Sequence, residues 1–196
     1  MKIPNIADIV GNTDIYILDQ IMKERYSEGQ KILDAGCAEG RNLKWFYLSN
    51  FDIYGIDTSN DRLETAKQQY HKIAQNFTTG SIENLPYEKA TFHHVLCSAV
   101  LHFAHSEKHF FTMFTELIRV LKPKGTLFIR VASNIGLDGN TPYLKESHTN
   151  REGTFFISRE IIESLMTDFS IELLDPVKTT NVQDKRAMTT LVFQKL

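Results

Sequence analysis

The chain is poor in the features that mark several protein classes. Its 196 residues hold only two cysteines, Cys37 and Cys97, set 60 positions apart. That spacing suits neither a metal site nor a disulfide framework, so reduced thiols in a cytoplasmic protein are expected. Charge of one sign is also lacking: 22 Lys and Arg stand against 24 Asp and Glu, for a net charge of -2. No polyanion-binding surface is implied, and DNA or bulk RNA is not expected as a partner. No apolar run reaches the ~18–20 residues that span a bilayer, so no membrane partner is expected. Met1 to Val10 has one lysine and no apolar core, which argues against a secretory signal. The five prolines and ten glycines form no linker, and no repeat or low-complexity tract appears. Residues 1–196 therefore read as one domain.

What is present is an alternation of short apolar runs and amphipathic stretches. Asp14 to Tyr26 has apolar residues at helical spacing. Strands are expected at Lys31–Leu33, Ile53–Ile56, Phe77–Thr79, Phe92–Cys97 and Thr126–Ala132. Helices are expected over Arg41–Leu48, from a Ser59 cap through Tyr70, over Phe110–Leu121, and from a Ser158 cap through Met166. Ser170–Val177 and Ala187–Gln194 read as two closing strands. The pattern is α/β: a doubly wound, mostly parallel sheet of seven strands with a closing antiparallel strand. Ligands of such sheets lie beyond the carboxyl ends of the strands. Asp34, Asp57, Thr79-Gly80 and Cys97 stand at four of those ends.

The most informative segment is Asp34-Ala35-Gly36-Cys37-Ala38-Glu39-Gly40-Arg41. A strand enters a glycine turn and then a helix, so backbone can approach a ligand closely and free N–H groups can meet an anion. A dinucleotide fingerprint would need a third glycine where Arg41 stands. Asp34-x-Gly36-x-x-x-Gly40 instead resembles the first motif of class I, Rossmann-like, S-adenosylmethionine-dependent methyltransferases. Ala38 replaces a usual glycine, and an ordinary negative φ is expected there. Asp57-Thr58-Ser59 resembles the same family's second motif, and the resemblance implies that Asp57 holds the ribose hydroxyls. Gly80-Ser81-Ile82 resembles the third region, where Ser81 and the Ile82 N–H would frame the adenine. Phe92-His93-His94-Val95-Leu96-Cys97 resembles the fourth, with His93 in place of an acid. Leu121-Lys122-Pro123-Lys124-Gly125 resembles the approach to the fifth strand. Gly40-Arg41-Asn42-Leu43 and the small size add a similarity to tellurite-resistance-type small-molecule methyltransferases.

The resemblance implies a methyltransferase that binds S-adenosylmethionine, releases S-adenosylhomocysteine and methylates a small-molecule acceptor by direct in-line displacement. The implied cofactor residues are Asp34, Gly36, Cys37, Ala38, Gly40, Arg41, Asp57, Thr58, Ser81, Ile82 and Cys97. Asp34 and the Cys97 carbonyl would lie near the methionine ammonium, and the helix beginning near Gly40 would face the carboxylate. His102 follows the fourth strand and is the candidate general base. No metal site is expected: His93 and His94 are adjacent and so point to opposite strand faces, and His102 with His105 reads as a solvated pair. The segment Ser133–Gly153, with Asn134, Tyr143, His148 and Arg151, is the expected acceptor loop. The sequence lacks the Asn/Asp-Pro-Pro-aromatic and Pro-Cys signatures of base and glutamine methylation. A non-catalytic S-adenosylmethionine-binding regulator and, less favoured, an NAD(P)-dependent oxidoreductase remain the competing readings.

Overall fold

The computed structural model describes residues 5–137 and 155–196. Two helices open it, α1 (Ile6–Val10) and α2 (Ile15–Met22). There follow β1 (Lys31–Ala35), a 3-10 turn Arg41–Leu43, α3 (Lys44–Leu48), β2 (Asp52–Asp57), α4 (Asn60–Gln69), β3 (Phe77–Thr79) and β4 (Phe92–Ser98). After a further 3-10 turn, Leu101–Phe103, come α5 (Glu107–Val120), β5 (Leu121–Ser133), α6 (Arg159–Asp168), β6 (Ile171–Leu173), β7 (Lys178–Val182) and β8 (Arg186–Lys195); another, His71–Asn76, precedes β3.

All eight strands belong to one sheet of order β3-β2-β1-β4-β5-β8-β6, with β7 also paired to β8. β1 to β5 run parallel, and β8 runs antiparallel to β5. The expected mostly parallel sheet with a closing antiparallel strand is what forms. Its winding reverses between β1 and β4, so the crevice for a ligand opens at the carboxyl ends of those two strands.

Alternation along the central strands builds two cores. Leu33, Val95 and Ile129 point to one face, beneath α5 and α6. Ile32, Leu96 and Phe128 point to the other, with Ile17 of α2, Phe46 of α3 and Leu63 of α4. Each strand is thus apolar on both sides, as a covered parallel sheet requires.

Three local expectations are corrected. The outer partner of β8 is not one strand over Ser170–Val177. Ile171–Leu173 pair with Lys195–Phe193, and pairing resumes at Lys178 opposite Thr190. Pro176 falls in the gap, where its missing N–H cannot serve a ladder. Eight strand segments therefore occupy seven lateral positions. Helix α2 stops at Met22 rather than Tyr26, because the chain turns through Glu24 at φ 54°. Ser59 stands at the head of α4, but its side chain caps nothing; Asp57 Oδ1 accepts from the Ser59 N–H at 2.9 Å instead. Ser158 does cap α6, accepting from the Ile161 N–H.

Candidate active site

The turn after β1 is built by close packing. Gly36 has φ 83°, and a Cβ there would lie 2.3 Å from Val100 Cγ2, so only glycine fits. The Gly36 and Cys37 N–H groups both donate to the Ile56 carbonyl, at 2.8 and 3.0 Å. Ala38 adopts φ 48°, not the negative φ expected of it. It is held there because its N–H donates to Asp57 Oδ2 at 2.9 Å. A left-handed alanine costs about 1–2 kcal/mol, which that charge-assisted bond offsets. Gly40, at φ 75°, faces Tyr70, whose Cε2 would meet a Cβ at 2.8 Å. The Tyr70 hydroxyl donates to the Gly40 carbonyl at 2.8 Å.

Asp57, at the end of β2, accordingly ties two loops together, with one oxygen on Ala38 and the other on Ser59. A carboxylate has about four acceptor positions, so two remain for a ligand. Beside this clamp, at the carboxyl ends of β1, β2 and β4, lies a cavity of about 480 Å³, a size that suits a nucleoside-bearing ligand.

Residues 33–129 match a protein-family model described as "Methyltransferase domain". An O-methyltransferase of Aspergillus nomiae is 32% identical over 58% of this chain and 50% of its own length. The chain spans about half the length of the curated relatives it matches, 36% to 62% for the first four. A solved methyltransferase of Methanosarcina mazei superposes with a TM-score of 0.72 at 17% identity, covering 90% of this chain and 97% of that one. A Burkholderia thailandensis 1,6-didemethyltoxoflavin-N1-methyltransferase, solved with S-adenosylhomocysteine, gives a TM-score of 0.68 at 19% identity over 92% and 75% of the two chains. Residues 33–129 of the chain are a methyltransferase domain, with the fold of S-adenosylmethionine-dependent methyltransferases.

Of the residues that the methyltransferase resemblance implied, Gly36, Cys37, Ala38 and Arg41 line the cavity from the first turn, and Asp57, Thr58 and Ile82 from the next two. Asp34, Gly40, Ser81, Cys97 and His102 do not line it. Asp34 sits behind the first turn, 1% exposed, and neither of its oxygens has a hydrogen-bond partner among the described residues. Burial raises its pKa to about 7; the Arg41 charge and the nearby Asn42 side chain oppose that rise, while the Asp57 and Asp14 charges add to it. Ser81 Oγ accepts from the Glu83 N–H at 3.2 Å, a local turn bond. Cys97 is fully buried, and burial pushes its thiol well above the ordinary range, which leaves it packing rather than chemistry. The cavity wall at the end of β4 is Ser98, Ala99 and Val100 instead. His102 is half-buried with Nδ1 unpartnered among the described residues, and burial with the Arg130 charge lowers its pKa to about 4. It is neutral at pH 7. It does not pair with His105, whose ring stands 3.9 Å from that of His109.

Several wall residues escaped the sequence reading. Arg62 lies one turn into α4 and reaches Glu39 at 3.5 Å; its position three after Ser59 was the available signal. Asn42 accepts from the Asp14 N–H at 3.1 Å and so ties the head of α2 to the glycine turn. Phe103 reaches the cavity from the turn after β4 while 48% exposed. Of the expected acceptor loop, Asn134 is described, whereas Tyr143, His148 and Arg151 lie outside the described residues. Among the described residues no group of three or more His, Cys, Asp or Glu is placed to hold a metal.

Proposed function

We propose that this domain binds S-adenosylmethionine in the cavity at the carboxyl ends of β1, β2 and β4 and transfers its methyl group to a small-molecule acceptor. The observation that carries the reading is Asp57. Its carboxylate is fixed by two backbone N–H bonds at the cavity wall and keeps acceptor capacity for vicinal hydroxyls. The donor set also fits the charge of the group. The charges of Asp14 and Asp57 are close enough to act on Asp34, an acidic environment that favours an ammonium and a sulfonium. Bound there, S-adenosylmethionine would supply an electrophilic methyl on sulfur.

The protein's own part is binding and orientation. Asp57 takes the ribose. Ile82, 6% exposed, offers an apolar wall for the adenine, with Ser81 beside it. Arg41 and the backbone of Gly36 to Ala38 flank the methionine end. Neutral His102, in the turn after β4, is the group assigned to accept a proton from an acceptor hydroxyl, thiol or amine. The acceptor must be held with its reacting atom about 3–3.5 Å from the methyl carbon, and water must be kept out. One domain is supported by the single sheet, and a cytoplasmic setting by two buried free thiols. No described helix is long and apolar enough to cross a membrane.

The test is calorimetry with S-adenosylhomocysteine. Wild-type protein binds it, and Asp57→Ala weakens binding about 10- to 100-fold, the loss of a charge-assisted bond of roughly 1.5–3 kcal/mol. Unchanged affinity in a folded variant would remove Asp57 from the site. Tight binding with no methyl transfer to any acceptor of a broad panel would point to a non-catalytic module.

A further inference from the structure

Three side-chain atoms near the Ser98 wall are buried without a hydrogen-bond partner among the described residues: Arg130 Nε, His102 Nδ1 and Thr190 Oγ1. Topology puts them together. Ser98, Arg130 and Thr190 are register neighbours on β4, β5 and β8, so their side chains share one sheet face. Ser98 is part of the cavity wall. His102 lies in the turn after β4, near enough to Arg130 for the guanidinium charge to disfavour its protonation. Helix α2 faces the row. Asp14 Oδ2 accepts from Ser98 Oγ at 2.9 Å and stands 3.5 Å from Arg130 Nη1, and the Tyr16 ring centroid is 5.2 Å from the guanidinium carbon.

Arg130 is thus held but not consumed. The Tyr16 ring restrains the guanidinium through its face, and the contact to Asp14 is long for a charged pair. Its guanidinium carries five N–H donors on a rigid fork, and Nη1 alone is engaged, by Asp14 Oδ2, in the side-chain hydrogen bonds among the described residues. The side chain keeps 23% of its surface exposed, so a solute can reach it. A buried donor left unpaired costs about 1–3 kcal/mol, and three such polar atoms grouped next to the Ser98 wall point to a polar ligand.

We propose that Arg130 is a specificity-determining residue for the methyl acceptor, and that it selects a small molecule carrying a carboxylate. The carboxylate would meet the Arg130 fork, with His102 and Thr190 as further polar contacts. This rests on the methyl-transfer reading above and adds the acceptor's chemical class to it. A monoanion is favoured over a phosphate dianion because Asp14 stands 3.5 Å from the same guanidinium and like charges repel.

The experiment titrates benzoate and its neutral isostere benzamide into the protein, by ligand-observed NMR, with and without saturating S-adenosylhomocysteine. Benzoate is expected to bind at least tenfold more tightly than benzamide. Arg130→Gln should erase that preference, and Arg130→Lys should retain part of it, while S-adenosylhomocysteine affinity stays within about threefold in both. Equal binding of the two probes, no binding of benzoate, or an undiminished preference in Arg130→Gln would overturn the assignment. A wild-type protein that selects benzoate but ignores S-adenosylhomocysteine would instead sink the cofactor reading and leave the carboxylate site standing.

Discussion

Asp34 allows the cofactor reading to be tested without knowing the acceptor. Its carboxyl is buried, without a hydrogen-bond partner among the described residues, and raised to about 7. In the ligand-free protein it is therefore about half protonated at neutral pH. A ligand ammonium placed near it favours the carboxylate and drives the pKa back down. Binding must then expel a proton. If the bound-state value returns to the ordinary 3.8, roughly half a proton leaves at pH 7, and affinity falls about tenfold, or about 1.4 kcal/mol, between pH 8 and pH 6. Calorimetry of S-adenosylhomocysteine in buffers of different ionisation enthalpy reads the proton count directly. Asp34→Asn should bind more weakly at pH 8 and lose the pH-dependence traceable to this carboxyl. The same shift predicts a stability effect of opposite sense. A raised acid binds protons in the folded state, so its contribution is lost as pH climbs from 3.8 through 7, at about 3–5 kcal/mol above that range. Ligand-free Asp34→Asn should accordingly melt higher than wild type at pH 8. A binding slope unchanged by Asp34→Asn would refute the placement of the ammonium.

Other substitutions separate packing from binding. Gly36→Ala forces a Cβ to within 2.3 Å of Val100 at a left-handed φ, and should lose about 2–4 kcal/mol in denaturant melts together with ligand binding. Ala38→Gly relieves the φ of 48°, and should gain roughly 1 kcal/mol with S-adenosylhomocysteine affinity preserved. His94 is buried and neutral between Thr126 and Gln30, its pKa lowered to about 4 mainly by burial. The unfolded chain takes up a proton below about 6.5 and the folded one does not, so between pH 7 and pH 5 the protein should lose about 2 kcal/mol at this residue. His94→Gln should flatten that part of the stability profile.

Sequence carries the central sheet well, because β1 to β5 are short apolar runs with apolar residues on both faces, closed by residues of special geometry. Asp57 and Gly36 are legible for the same reason: an acid at a strand end and a glycine in a tight turn each have few alternative uses. Less visible are features fixed by tertiary neighbours. Gly40 is a glycine because of Tyr70, 30 positions away, and Ala38 takes a positive φ because Asp57 holds its N–H. The end of β4 is set by pairing with β5, which carries the ladder to Ser98 opposite Arg130, so the wall falls on Ser98 where Cys97 was expected. The neighbours of Arg130 are Asp14 and Tyr16 at the head of α2 and Thr190 on β8, and no local pattern announces them.

The break at Pro176 bears on how copies of this protein behave in a crowded solution. A sheet border is a template for another chain wherever consecutive backbone groups lie free and flat. Here one border is β3, three residues long, and the other is split into Ile171–Leu173 and Lys178–Val182. Over the second piece the Tyr16 hydroxyl bonds to Thr180, and the Lys178 ammonium is held by Asp19. Among the described residues neither border offers a long uninterrupted run for strand-by-strand joining, so the largely apolar central strands are shielded from pairing with another copy.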